Sequence, residues 1–306
     1  MTARILADHE FTDILGQDNA KSQLKSALLM NRHVLIIGPP GIGKTTLAKN
    51  VAKALPAGKS AEERFVRIQG SPDLTVEDLL GDIDPIKALK FGPSSPEAFT
   101  PGKIFKANDG ILFFDELNRC PEKVQNALLQ VLEEGKATIG STTVDFPANF
   151  IFIGTMNPEE TAATEKLSDV LMDRFDIVHM TYPDTAEIER EIVLAKGEKR
   201  AVAFPANLLT ATILFVRAVR EHKDVQKKPS VRASLGLYER AQANALLRKA
   251  KTVNADDIAD AVVSVLSHRI ELKPAVKYLQ TTEEFIAKEY ASFVQEHGEL
   301  ERGGGL

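Results

Sequence analysis

The alternation of apolar and polar positions divides the chain into two regimes near residue 183. Before that point, short strand-forming stretches recur: the apolar runs Val34-Leu35-Ile36-Ile37, Ile111-Leu112-Phe113-Phe114 and Phe150-Ile151-Phe152-Ile153, and the mixed stretches Phe65 to Gln69 and Ile177 to Met180. Four apolar residues in a row predict a strand buried on both faces, as at the centre of a parallel sheet. Between the runs, helical periodicity predicts a helix capped by Asp18 and reaching about Met30, with Leu24, Leu28 and Leu29 on one side. A second helix carries Leu47, Val51 and Leu55 and stops at Pro56; a third has Pro121 in its first turn and Val124, Leu128, Val131 and Leu132 inward as far as Glu134. A fourth spans Lys166 to Phe175. Thr75 with Asp78 makes a capping box for a short helix through Leu80. Residues 82–101, with Pro85, Pro93, Pro96 and Pro101, predict an irregular loop of a length usually functional or mobile. Lys136 to Ile139 and Thr142 to Phe146, split by Gly140-Ser141, predict a hairpin.

Beyond Tyr182-Pro183 only helical patterns follow: Ile188 to Leu194, Leu208 to Val219, Leu235 to Leu247, Ile258 to Leu266 capped by Asn254 with Asp257, and Thr281 to His297, before a frayed tail at 302–306. The predicted fold class is therefore α/β: a parallel-sheet domain at 1–183 followed by a smaller all-α domain at 184–306.

Composition narrows the setting. The 306 residues are 43% hydrophobic and 26% charged, as in ordinary globular proteins, and suffice for two domains. No apolar run approaches the roughly 18 residues that span a bilayer. Residues Met1 to Glu10 have no signal-peptide core, so a cytoplasmic location is expected. The single cysteine, Cys120, excludes an internal disulfide, fits a reducing compartment and reads as a small residue before a helix rather than a nucleophile. A net charge of −5 argues against a generally basic nucleic-acid surface, though it leaves room for a local basic patch.

The candidate chemistry begins where the first buried run ends. Gly38-Pro39-Pro40-Gly41-Ile42-Gly43-Lys44-Thr45 matches the phosphate-binding loop pattern in the strand-then-helix context it needs. Its glycines let successive N–H groups turn inward as an anion nest, and the helix starting near Lys44 adds its positive end. Lys44 would reach the β- and γ-phosphates, and Thr45 would place its hydroxyl on a Mg²⁺ bridging them. Upstream, Ile14 and Leu15 either wrap an adenine ring or pack in the core. The run 111–114 ends in Asp115-Glu116, at the strand end where open α/β sheets bind ligands. Asp115 would hold the metal through a water, and Glu116 would activate the water attacking the γ-phosphate. Asn157, after another buried run, lies beside that acidic pair if the strands are neighbours; otherwise it is a turn former. Arg174 either offsets a helix dipole or serves a neighbouring subunit's nucleotide. Arg232 starts a helix, where a cation opposes the dipole and calls for a negative partner.

Together these stretches resemble the AAA+ ATPases from Phe11 to about Leu272. Gly154-Thr155-Met156-Asn157-Pro158-Glu159-Glu160, Leu171-Met172-Asp173-Arg174-Phe175 and Ser267-His268-Arg269 are similar to the ATPase subunit of magnesium chelatase and its MoxR relatives. The resemblance implies a P-loop core with a helical lid. Gly38 to Thr45, with Thr46 following, stands as Walker A and Ile111 to Glu116 as Walker B. Asn157 stands as sensor 1, Arg174 as the arginine finger and Arg232 as sensor 2, in cis or in trans. Residues after Leu80 correspond to that group's helix-2 insertion and the hairpin at 136–146 to the one preceding sensor 1. ATP and Mg²⁺ are the implied cofactors. The implied activity is ATP hydrolysis by a hexameric ring that remodels a separate partner, often one bearing a von Willebrand A domain. The alternatives are a slowly hydrolysing nucleotide-dependent binding module and a motor acting on nucleic acid, the latter disfavoured by the acidic composition.

Overall fold

The five predicted strands assemble into one parallel sheet in the computed structural model, which describes residues 10–54, 65–92, 95–135, 137–139, 142–144, 149–158 and 166–301. In chain order the first part holds α1 (Asp18–Leu29), β1 (His33–Ile37), α2 (Lys44–Ala54), β2 (Phe65–Gln69), α3 (Val76–Leu80), β3 (Gly81–Ile83), α4 (Pro85–Phe91) and β4 (Phe99–Pro101). Then come α5 (Lys103–Lys106), β5 (Ile111–Asp115), α6 (Glu122–Glu134), β6 (Ala137–Ile139), β7 (Thr142–Val144), β8 (Ile151–Met156), α7 (Asp169–Met172) and β9 (Phe175–His179). The sheet runs β2-β5-β8-β1-β9, with every neighbouring pair parallel. Its central strands bury both faces: Val34, Leu35 and Ile36 of β1 and Ile111 to Phe114 of β5 are inaccessible to solvent. Rings deepen that core, with Phe152 stacked on Phe175 at 5.1 Å. Thr75 and Asp78 form the expected reciprocal capping box on α3.

The second part is built from α8 (Ala186–Lys196), α9 (Ala206–Glu221), β10 (Val225–Lys227), α10 (Val231–Leu247), α11 (Ala255–Leu266), β11 (Glu271–Leu272), α12 (Pro274–Lys277) and α13 (Thr282–Glu301). It has its own core, in which Phe215, Leu237, Val262, Leu266 and Phe285 are packed together. Chain contacts divide the molecule into a unit that ends at Met180 and a unit from Thr181 onward; Pro40–Ile42 group with the latter.

Several local expectations are corrected. Asp18 does not cap α1: Gln17 occupies that position in a left-handed conformation (φ 60°), and no side chain caps the helix. Leu29 faces outward, while Ala20, Leu24, Ala27 and Leu28 are buried. The segment 82–101 is not irregular throughout. Gly81–Ile83 pairs antiparallel with Phe99–Pro101, and α4 lies between, its N–H groups at Ile86 and Lys87 donating to Asp84 Oδ1. The prolines mislead because Pro85 sits in a helix's first turn, where its missing N–H costs nothing. The helix expected over Lys166 to Phe175 is one turn, Asp169–Met172, capped by Ser168. Phe175 starts β9 instead, because its ring is buried against Phe152. The helical region also contains a short ribbon, β10 with β11, pinned by buried Val225 and Leu272. Leu55, Pro56, Pro93, Lys136, the Gly140-Ser141 tip, Phe146, Glu159, Glu160 and the tail at 302–306 lie outside the described residues.

Candidate functional site

The strand order dictates where chemistry can gather. β1 lies between β8 and β9, so the chain leaving its C-terminal end meets the switch point of an open parallel sheet. Gly38 N–H continues the ladder onto Met156 O at 3.2 Å. The loop then turns through Gly43 at φ 98°, a conformation open to glycine, and a Cβ there would stand 3.2 Å from Ile14 Cδ1. Ile14 is buried beneath that turn and Leu15 is half-buried beside it in sequence. α2 starts at Lys44, which folds back so that Nζ donates to the Gly38 carbonyl at 2.5 Å and the Pro39 carbonyl at 2.9 Å. Thr45 and Thr46 occupy the first turn of α2, half-exposed, with the Thr46 carbonyl accepting from Asn50 Nδ2 at 2.9 Å.

Asp115 and Glu116 leave the same edge of the sheet two strands away, with β8 between, a lateral offset of ~10 Å at the usual strand spacing. Thr155 of β8 joins them. Its hydroxyl donates to Asp115 Oδ1 at 2.7 Å and accepts from Glu116 N–H at 2.9 Å, and the residue is fully buried. Asp115 Oδ2 also takes Arg67 at 2.6 Å. Glu116 adopts φ 58°, ψ 53°, a left-handed conformation costing a residue with a Cβ about 1–2 kcal/mol. This turn swings its carboxylate out of the strand direction, where Oε2 accepts from Gln69 Nε2 at 2.9 Å and Arg119 at 3.1 Å. Gly70 makes the approach of β2 possible, because a Cβ there would collide with the Glu116 carbonyl oxygen. Its N–H donates to Asp115 O at 2.7 Å.

Asn157 directly follows β8, the strand between the loop-bearing and the acid-bearing strands. Arg174 follows α7 and pairs with Glu133 of α6. In the helical unit, Ser230 caps α10 by accepting from the Arg232 N–H at 3.3 Å. Gly41 belongs to that same unit, and a Cβ on it would stand 2.7 Å from Ser230 Oγ and 3.2 Å from Arg232 Cγ and Cδ. Pro40 and Ile42 flank it, half-buried. Cys120 is buried, which pushes its thiol up to about 11, the reverse of what a nucleophile needs.

Sequence reasoning passed over Thr155, Gly70, Arg67, Gln69 and Arg119. The period-two spacing of Arg67 and Gln69 puts both on one face of β2, but their target emerges only once β2 is known to pair with β5 in the register Gln69 to Asp115.

Comparison with known proteins gives two family matches: the ATPase family associated with various cellular activities (AAA) over residues 33–177, and the AAA lid domain over residues 217–289. The chain is 31% identical to the uncharacterized protein YeaC of Bacillus subtilis, with 88% of this chain and 87% of that protein aligned. It is 29% identical to the chaperone MoxR1 of Mycobacterium tuberculosis (85% and 73% covered) and 28% identical to the magnesium-chelatase subunit ChlI of Glycine max (87% and 76%). Among solved structures, the Thermotoga maritima RuvB Holliday junction branch migration motor superposes with a TM-score of 0.51 at 20% identity, covering 83% of this chain and 70% of that one, a likeness of fold alone.

Proposed function

We propose that this chain, which belongs to the ATPase family associated with various cellular activities and within it to the MoxR and magnesium-chelatase ATPase-subunit group, hydrolyses Mg·ATP to drive rearrangement of a partner protein. One observation carries the reading: a glycine loop ending β1 and an acidic pair ending β5 leave the same edge of one parallel sheet, with only β8 between them. The backbone N–H groups of Pro40 to Thr46, proline excepted, cradle the phosphates. Lys44 exchanges the Gly38 and Pro39 carbonyls it now caps for the β- and γ-phosphate oxygens. Ile14 and Leu15 flank the adenine.

Bound Mg²⁺ would neutralise charge on the bridging phosphate oxygens. The Thr45 hydroxyl and the Asp115 carboxylate are the hard oxygen donors that cation prefers. Glu116 takes the proton of the attacking water, and Asn157 orients that water against the γ-phosphate. Arg232, at the start of α10, supplies a guanidinium to the nucleotide in cis or in trans. Arg174, its side chain 44% exposed, exchanges Glu133 for the γ-phosphate of the next copy in a hexameric ring. The partner it remodels is a separate chain, of the kind that bears a von Willebrand A domain.

Calorimetric titration of the purified chain with Mg·ATP, paired with a phosphate-release assay, tests this. Wild-type protein should bind and turn over, and Lys44→Ala should weaken binding by at least about 100-fold, the worth of a charge-assisted contact pair. A folded wild-type chain that binds no Mg·ATP sinks the reading.

A further inference from the structure

The two carboxylates at the end of β5 are each met by a guanidinium, Asp115 by Arg67 and Glu116 by Arg119. The first of these contacts falls on the carboxylate assigned to the metal. β2 pairs with β5 in the register Gln69 to Asp115, so Arg67 stands two residues earlier on the same face and reaches Asp115 along the diagonal. Its Nη2 donates to Asp115 Oδ2 at 2.6 Å and to Gln69 Oε1 at 2.9 Å. With the Thr155 hydroxyl on Oδ1, both oxygens of Asp115 are engaged, and its side chain is only 14% exposed.

Two features separate this contact from a structural ion pair. Arg220 clasps Glu189 with two nitrogens and is buried, so neither partner can leave without stranding the other. Arg67 uses one nitrogen for both of its contacts, and among the described residues its Nε and Nη1 make no hydrogen bond. Its side chain is 50% exposed on an edge strand of the sheet, where water can take over each donor once Asp115 is given up. A half-exposed pair held by one nitrogen contributes little to stability. Its lasting effect is electrostatic: a positive charge set against the carboxylate that would hold Mg²⁺. That ion is small, doubly charged and selective for hard oxygens, so ion and guanidinium compete for one negative charge.

We infer that Arg67 is a resident counter-ion of the metal site: it holds the charge of Asp115 and yields the carboxylate when Mg²⁺ binds, so its own charge sets how strongly ATP binding depends on Mg²⁺. The inference rests on the ATPase reading and deepens it. Arg67 acts through Asp115 and not on the reacting atoms. Removing its charge should therefore tighten Mg·ATP relative to metal-free ATP. A residue that merely propped Asp115 in place would do the opposite, because a misplaced carboxylate holds the metal less well.

The test is a pair of dissociation constants for ATP, one with excess Mg²⁺ and one in EDTA, measured by calorimetry on wild type, Arg67→Gln, Arg67→Thr and Arg67→Lys. In the two neutral variants the ratio of the EDTA value to the Mg²⁺ value should rise about tenfold, the screened remainder of a unit charge set against a divalent one. Arg67→Lys, which keeps the charge, should stay within about twofold of wild type. An unchanged or lower ratio in a folded neutral variant overturns the inference and leaves the ATPase reading standing. A rise in Arg67→Lys as large as that in Arg67→Gln does the same. Threonine suits a strand, so Arg67→Thr decides should Arg67→Gln not fold, and collapse of both would make Arg67 a structural prop and overturn the inference as well. Absence of Mg·ATP binding by the wild type overturns both readings.

Discussion

Glu116 and Glu189 are the same side chain in opposite settings. Glu189, on α8, is completely buried, and both its oxygens are occupied: Arg220 grips them at 2.8 and 2.9 Å, Ser234 donates at 2.6 Å, and Arg217 approaches to 3.5 Å. Those partners are themselves tied down. Arg220 donates to the Pro229 carbonyl and lies over the Tyr182 ring at 4.7 Å, while Arg217 holds the carbonyls of Pro183 and Asp184. Glu116 is one-third exposed, and both of its partners share Oε2; among the described residues Oε1 accepts no hydrogen bond. A saturated carboxylate is a staple. One with an oxygen to spare, set on a left-handed turn beside a phosphate-loop edge, can take a proton from water.

The largest expected effect is on the staple. Glu189→Ala leaves Arg220 buried without its counter-ion, which should cost about 3–5 kcal/mol in urea denaturation. Glu116→Gln should do the reverse, lowering turnover by about 10³-fold, the usual worth of a general base, while the urea midpoint stays put. Stability losses of similar size in the two variants would erase the distinction.

Thr155→Val probes a residue that belongs to both classes. The shape is kept, but the Glu116 N–H and the Asp115 carboxylate each lose a buried partner. We expect a stability loss of about 1–3 kcal/mol together with slower turnover, because the left-handed turn at Glu116 is no longer pinned. Denaturation and single-turnover measurements on the same preparation separate the two. Unchanged single-turnover rates would mean that Thr155 only packs.

What could be read beforehand follows the same division. The runs forming β1, β5 and β8 announce themselves because strands buried on both faces need no partner to be recognised, and the glycine loop is legible because its chemistry is local. Glu189 is not. Its helix reads Ala186-Glu187-Ile188-Glu189-Arg190-Glu191, in which one buried acid looks like its solvated neighbours until Arg220, 31 residues on, is folded against it. Segment 82–101 misled in the other direction: four prolines suggested loop, yet Pro85 starts a helix and Pro101 closes an edge ribbon, both places that spare a backbone donor.

The smallest effect sharpens the contrast along β1 itself, whose two ends serve different purposes. At its start, ~17 Å from the phosphate loop at the usual rise per residue, His33 packs against Phe150 and Phe152 and accepts from the Phe152 N–H through Nδ1 at 3.3 Å. Burial, and secondarily the charge on Arg32, holds its pKa below the ordinary 6.5. The unfolded chain therefore takes up this proton at a higher pH than the folded one does. Stability is fully present above about pH 6.5 and declines as pH falls from there toward the lowered folded value. Between pH 7.5 and 5.5 the wild type should lose under about 1 kcal/mol that a His33→Gln variant does not. ATP affinity of the still-folded fraction should not follow His33, because His33 begins β1 and the loop leaves its other end. If affinity and the His33-dependent stability fell together, the two ends of β1 could not be regarded as separate.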